Sequence, residues 1–153
     1  MSTLISDQTK LFYAWEDTTL PDCRKSYLSL AGCQKFVDEV WGDLSMNSDP
    51  PVVKDGRGSS AARSEGSTIS MPRWSRNATV ITHEISHTLA SLIDPWGNIY
   101  HGGIFIHVYF TMLTRYCDHK YHKLISSARS HGLIVTPIKL GYHLKNHNEA
   151  LTL

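Results

Sequence analysis

No sign of charge dominates this chain. Lys and Arg total 15 against 14 Asp and Glu, a formal charge of +1. Nucleic-acid binding by bulk charge and disorder by self-repulsion both need a larger imbalance, although a local basic patch stays open. No basic–aromatic stripe of the kind that grips a single strand is present, so no nucleic-acid partner is expected. No apolar run reaches the roughly 20 residues of a membrane span, so no membrane role is expected. Cysteine is scarce. Cys23, Cys33 and Cys117 are an odd number without a CxxC pair, which excludes a disulfide framework. The first residues, MSTLISDQTK, show no basic segment followed by an apolar one. A secretory leader is not expected, the compartment is expected to be cytoplasmic, and the sequon at Asn77-Ala78-Thr79 then carries no sugar. Internal repeats and low-complexity tracts are absent.

Against these absences stand 41% hydrophobic residues in 153, enough to close one core. One domain is expected over 9–140, with 1–8 and 141–153 as flexible termini. Thr9–Glu16 is aromatic and apolar and reads as a strand, followed by a turn-rich stretch from Thr18 to Lys25. Ser29 is placed to cap a helix over Leu30–Trp41, where apolar residues recur at helical spacing. Gly42–Pro51 reads as a loop. Pro51–Lys54, Ser59–Ser64 and Ser67–Met71 read as three short strands, turned at Asp55-Gly56 and Glu65-Gly66 and stopped by Pro72. They predict a small antiparallel meander. Arg76–Ile93 predicts a helix ended by Asp94-Pro95, and a loop from Trp96 to Tyr100 leads to a second apolar helix over His101–Cys117. A third helix is expected within Asp118–Ser130, then an extended segment over Leu133–Leu140 and a polar, frayed tail from Tyr142. Trp15, Trp41, Trp74 and Trp96 are expected in the core or at its rim.

Nine histidines are the compositional excess. Two of them frame His83-Glu84-Ile85-Ser86-His87, an HExxH segment inside a predicted helix. Residues i and i+4 lie one turn apart on the same face, so both imidazoles can reach one cation. Glu84 projects beside that cation without binding it. A bound metal lowers the pKa of water to about 7, and the carboxylate can then act as general base. A catalytic zinc site takes three protein ligands. His101 and His107 are both candidates for the third, and spacing leaves the choice open. His107 otherwise reads as a helix-face histidine. Tyr100, Tyr109, His107 and Arg76 are candidates for stabilising a developing oxyanion or supporting a ligand. Ser59–Ser64 is a candidate edge for pairing with an extended peptide, flanked by Arg57 and Arg63. A second site from Cys117, His119 and His122 is loosely spaced. His131, His143 and His147 read as surface residues.

His83-Glu84-x-x-His87, thirteen further residues, then His101-Gly102-x-x-Phe105 resembles the SprT-like zinc metallopeptidases, a compact gluzincin-type group. Gly103 and Ile104 stand where SprT-like chains carry proline and an acidic residue. The C-terminal zinc-ribbon or DNA-binding regions of many such proteins are missing, so no repair role is carried over. A closer resemblance spans most of the chain: Tyr13-Ala14-Trp15-Glu16, Phe36-Val37-Asp38-Glu39-Val40, Val53-Lys54-Asp55-Gly56-Arg57-Gly58, Ile69-Ser70-Met71-Pro72 and Arg76, then the HExxH…HGxxF pair. That order is similar to a family of small metallohydrolases of actinobacteria and their phages. The resemblance implies Zn²⁺ on His83, His87 and His101, with Glu84 as catalytic base. It also implies an α+β, minigluzincin-like domain, with a small, mostly antiparallel sheet packed on the HExxH helix and the following ligand-bearing helix. A phage origin would place the protein in the host cytoplasm. The expected activity is zinc-dependent hydrolysis, most simply of a protein or peptide substrate. Two other readings remain: hydrolysis of a non-peptide amide or ester, and a metal-containing, inactive peptidase-like module that captures a partner protein.

Overall fold

The computed structural model describes residues 8–20, 27–95 and 100–151, with side chains up to Asn148. The turn expected around Pro21 and Asp22, Cys23 and Trp96 lie outside the described residues. Among the described residues, six α-helices and three strands are arranged as α1 (Gln8–Thr19), α2 (Leu30–Asp43), β1 (Val52–Asp55), β2 (Arg63–Glu65), β3 (Thr68–Met71), α3 (Ala78–Ile93), α4 (Gly103–Tyr116), α5 (Tyr121–Ser130) and α6 (Leu140–Leu151). The result is an α+β fold with a small mixed sheet.

The segment expected as a first strand is helix α1. Strand alternation would put Leu11, Tyr13 and Trp15 on one face. Instead Phe12 and Trp15 are fully buried, while Leu11 and Tyr13 are largely exposed, which is helical periodicity. Aromatic residues favour strands only weakly, and packing overrides them here. Helix α2 begins where Ser29 predicts, with Ser29 Oγ accepting from Gly32 N at 2.9 Å. Such a cap contributes about 1 kcal/mol. The helix runs on through Gly42 and Asp43, residues expected in the following loop.

The sheet order is β1-β3-β2. β3 pairs antiparallel with β2 but parallel with β1, so the expected meander is corrected to a mixed sheet. Gly66, at φ 59°, makes the tight β2–β3 turn. Asp55-Gly56 does not close a hairpin. Asp55 Oδ1 accepts from Arg57 N at 3.0 Å, and Gly56 N donates to Met71 O at 3.2 Å. The chain therefore turns away from β1 and crosses to the far side of β3. The return strand shrinks to Arg63–Glu65, because Ser59 folds into a loop, its hydroxyl donating to Ala61 O.

Two apolar clusters flank α4. On one side α2, the sheet and α3 meet through Val37, Trp41, Ile69, Met71, Ile81, Ile85 and Leu89, joined by Val108 and Met112 of α4. On the other, Phe12 and Trp15 of α1 pack with Phe105, Tyr109, Phe110 and Leu113 of α4 and Leu124 of α5. Helix α4 is thus buried on both flanks. Trp74 is exposed, unlike Trp15 and Trp41. The tail expected to fray from Tyr142 is helix α6. It buries Leu144, and Asn148 is tied to the Ser45–Asn47 loop, where its Oδ1 accepts from Asn47 N at 3.0 Å. Among the described residues, no helix is long and apolar enough to cross a membrane.

Candidate metal centre

Helix α3 starts at Asn77, whose Oδ1 accepts from Val80 N at 2.9 Å. Two turns later it presents His83 and His87 on one face, with Nε2 atoms 3.1 Å apart. His101, just before α4, brings its Nε2 to 3.4 Å from that of His83. One ligand atom from each of the three lies within 4.8 Å of the others, the one such cluster of three among the described residues. The alternative third ligand, His107, points elsewhere. Its Nδ1 is 2.7 Å from Tyr121 Oη and its Nε2 is 3.0 Å from Ile138 O. Cys117 and His119 form no such cluster with His122.

The orientation of the triad comes from α1. Glu16 Oε2 is 3.1 Å from His83 Nδ1 and accepts from Tyr109 Oη at 2.9 Å. Burial raises the Glu16 pKa, but the His83 hydrogen bond and charge, the Tyr109 hydroxyl and the charge of His101 outweigh it, so the pKa is lowered. An ionised carboxylate only accepts, so His83 Nδ1 must donate, and in the neutral ring Nε2 keeps a lone pair. Burial opposes charge on His83 as well, but the Glu16 hydrogen bond and the Glu16 and Glu84 charges raise its pKa overall. His101 Nδ1 lies 3.2 Å from Thr9 Oγ1, and Phe12 stacks on the ring at 4.7 Å between centroids. Gln8 Nε2 donates to His101 O at 2.8 Å. His87 stacks on Phe105 at 4.2 Å. Burial, then the His83 and His101 charges, lower the His87 pKa to about 2. Burial and the His83 charge lower that of His101 to about 4.

This donor set fits a metal ion. Neutral imidazole lone pairs facing one another at such range repel unless a proton or a cation sits among them. Three buried nitrogen donors suit a first-row divalent cation such as zinc, although the geometry does not choose one metal. The outer hydrogen bonds of Glu16 and Thr9 are of the type that fixes ligand rings.

The triad forms part of the wall of a cleft of about 1120 Å³. Glu84 also lines it. Burial raises the Glu84 pKa, His83 lowers it, Glu16 raises it, and the backbone N–H of Ser64 in β2 donates to it. Ser64 Oγ and Thr88 Oγ1, 2.8 Å apart, make a second tie between β2 and α3. β2 is an edge strand, and residues 61–66 line one side of the cleft, Arg63 among them. Tyr13, Tyr100, Ile134 and Thr136 line the cleft as well. Gln8 binds Ile134 through both backbone groups, its Oε1 accepting at 2.9 Å and its Nε2 donating at 3.1 Å.

Of the other expected site residues, Tyr100 lines the cleft, whereas Tyr109 is wholly buried and touches the site from behind, its hydroxyl on Glu16 and its ring edge-on to that of His83 at 5.3 Å between centroids. Arg76 and Arg57 are corrections, because neither lines the cleft. Arg76 is buried, with Nε donating to Met71 O at 3.0 Å and a terminal nitrogen to Asp55 Oδ1 at 2.9 Å. Arg57 is exposed in the loop after β1 and pairs with Asp55 at 3.5 Å. Sequence reasoning missed Gln8, Thr9, Phe12, Tyr13 and Glu16. Their spacing of three to four residues was the available signal, hidden by the strand reading of that segment.

Comparison with known proteins gave no matching family model, curated protein or solved structure.

Proposed function

We propose that this chain is a metal-dependent hydrolase of the zinc peptidase kind, built as a compact gluzincin-type domain. The carrying observation is the convergence of His83, His87 and His101 Nε2 atoms in a cleft that Glu84 also lines. A bound cation would supply Lewis acidity, polarising a carbonyl and making water easier to deprotonate.

The chain's own residues supply the rest. Glu84 is not a member of the nitrogen cluster. Its raised pKa suits a carboxylate that accepts a proton from water and returns it to the leaving amine. The Ser64 N–H holds its orientation. Tyr13 is held protonated by burial and by the charges of Glu16 and Glu84, so it can donate to an oxyanion in the cleft it lines, with Tyr100 as the other phenol lining that space. Apart from the Ser64 N–H that Glu84 uses, the outer edge of β2 offers its backbone groups to an extended polypeptide. That edge favours a peptide over a small ester.

Glu84→Gln tests the reading. The variant should keep about one metal per chain and its fold, while turnover of a quenched-fluorescence peptide library falls by at least about 100-fold. Full activity in the variant would rule out the mechanism. A capture module would bind its partner equally well with either residue.

A further inference from the structure

We propose a second site, an arginine cradle for a phosphate group at the edge of the sheet opposite the metal cleft. It is a depression of about 450 Å³ lined by Tyr27, Asp55, Arg57, Arg73 and Arg76. None of these five lines the metal cleft. β1, which ends at Asp55, lies on the opposite side of β3 from β2.

The fold assembles this group by close backbone approach. A Cβ on Gly56 would come within 2.6 Å of Pro72 N, so only glycine lets the Asp55–Arg57 turn sit on the Pro72–Arg73 turn. That contact brings Arg57 beside Arg73. Arg76 is fixed from below by Met71 O and Asp55 Oδ1. Tyr27 is set beside it by an antiparallel bridge to Asn77 and by Leu28 N donating to Arg76 O at 2.7 Å.

The charge balance names the ligand. Three arginines and one carboxylate residue line the depression, a local surplus of +2 in a chain whose total is +1. Asp55 Oδ1 is occupied by Arg76 and by the backbone N–H of Arg57. Asp55 Oδ2 meets Arg57 only at 3.5 Å, and that side chain is 89% exposed. Arg57 and Arg73 are both exposed residues on this depression. Planar guanidinium forks match phosphate oxygens two at a time. A dianion neutralises the surplus, whereas a carboxylate would leave half of it. The exposed ring of Tyr27 offers an apolar face to the organic part of a phosphate monoester.

The test is an NMR titration of the full-length chain, reading the arginine Nε–Hε and the histidine ring signals. The probes are inorganic phosphate and phenyl phosphate. Saturable shifts of Arg57, Arg73 and Arg76 at millimolar phosphate or below are expected. Phenyl phosphate binding more tightly would mark an organic monoester as the natural source, and equal binding would mark free phosphate. Arg73→Gln should weaken binding about tenfold, the loss of one charge-assisted contact. Its side chain is exposed, so the fold should survive. Arginine signals that do not move, equal affinity in Arg73→Gln, or shifts confined to His83, His87 and His101 would overturn the proposal. Metal loading and Glu84→Gln leave this result unchanged if the two sites are separate.

Discussion

Glu16 shows how one carboxylate sets the chemistry of another residue's far side. By accepting from His83 Nδ1 it leaves Nε2 free to bind a cation. Glu16→Gln keeps a hydrogen-bonding group but removes the charge and the fixed tautomer. Metal affinity should fall about 10–100-fold, measured by competition with a chromophoric chelator, with little change in secondary structure. Unchanged affinity would mean that Glu16 only packs. His107 illustrates the opposite case, a histidine of α4 with a structural task. Burial lowers its pKa from 6.5, against the opposing hydrogen bond to Ile138 O. Below pH 6.5 the unfolded chain then takes up the proton more readily than the folded one, so stability falls with acidification. His107→Gln should show a shallower loss of stability between neutral pH and the acid side of that value, read by urea denaturation at a series of pH values. An equal slope in both proteins would remove His107 from the account.

At the scale of elements, the site depends on a strap of chain, residues 133–139, within the segment expected to be extended, that forms neither helix nor strand. It lies against the start of α4, where Thr136 N donates to Gly103 O at 3.0 Å. A Cβ at position 103 would come within 2.9 Å of Thr136 N, which accounts for glycine after His101-Gly102. Gln8 then ties the strap to His101 by sharing its amide between Ile134 and His101 O. Gly103→Ala should push the strap off α4 and cost about 1–3 kcal/mol in chemical denaturation, the usual penalty of overpacking. No loss of stability would show that the strap yields freely. The same strap walls the cleft through Ile134 and Thr136, so under the proposed peptidase reading its displacement should also change which peptides are cleaved.

Across the whole molecule, three elements distant in sequence meet at the triad: α1 supplies supports, α3 two ligands, and His101 before α4 the third. A cation bound there would cross-link both apolar clusters, because α4 belongs to each. Binding to the folded state alone stabilises by mass action, about 2.7 kcal/mol when free metal is 100 times its Kd. Wild-type protein purified without added metal should contain about one equivalent by elemental analysis, and chelation should lower its Tm. His101→Ala should lose most of the metal and the chelator-sensitive part of Tm. Metal retained at full stoichiometry in that variant would place the third ligand elsewhere.

The HExxH spacing was enough to place His83, Glu84 and His87 on one helix, since helical geometry relates i to i+4 without help from the rest of the chain. The caps at Ser29 and Asn77 and the turn at Gly66 are local in the same way, though only Ser29 and the Glu65-Gly66 turn were read from sequence. His101 against His107 was not decidable from spacing, because the answer depends on how α4 returns across α3. The parallel β1–β3 pairing was hidden for a similar reason. Asp55-Gly56 is a hairpin signal by itself, and Met71 and Arg76, distant in sequence, turn it into a crossover. Helix α1 was misread because Phe12 and Trp15 acquire their helical face only against α4. Local sequence determined the chemistry on offer. Long-range packing decided which nitrogens converge, which carboxylate orients them, and which arginines are left facing solvent.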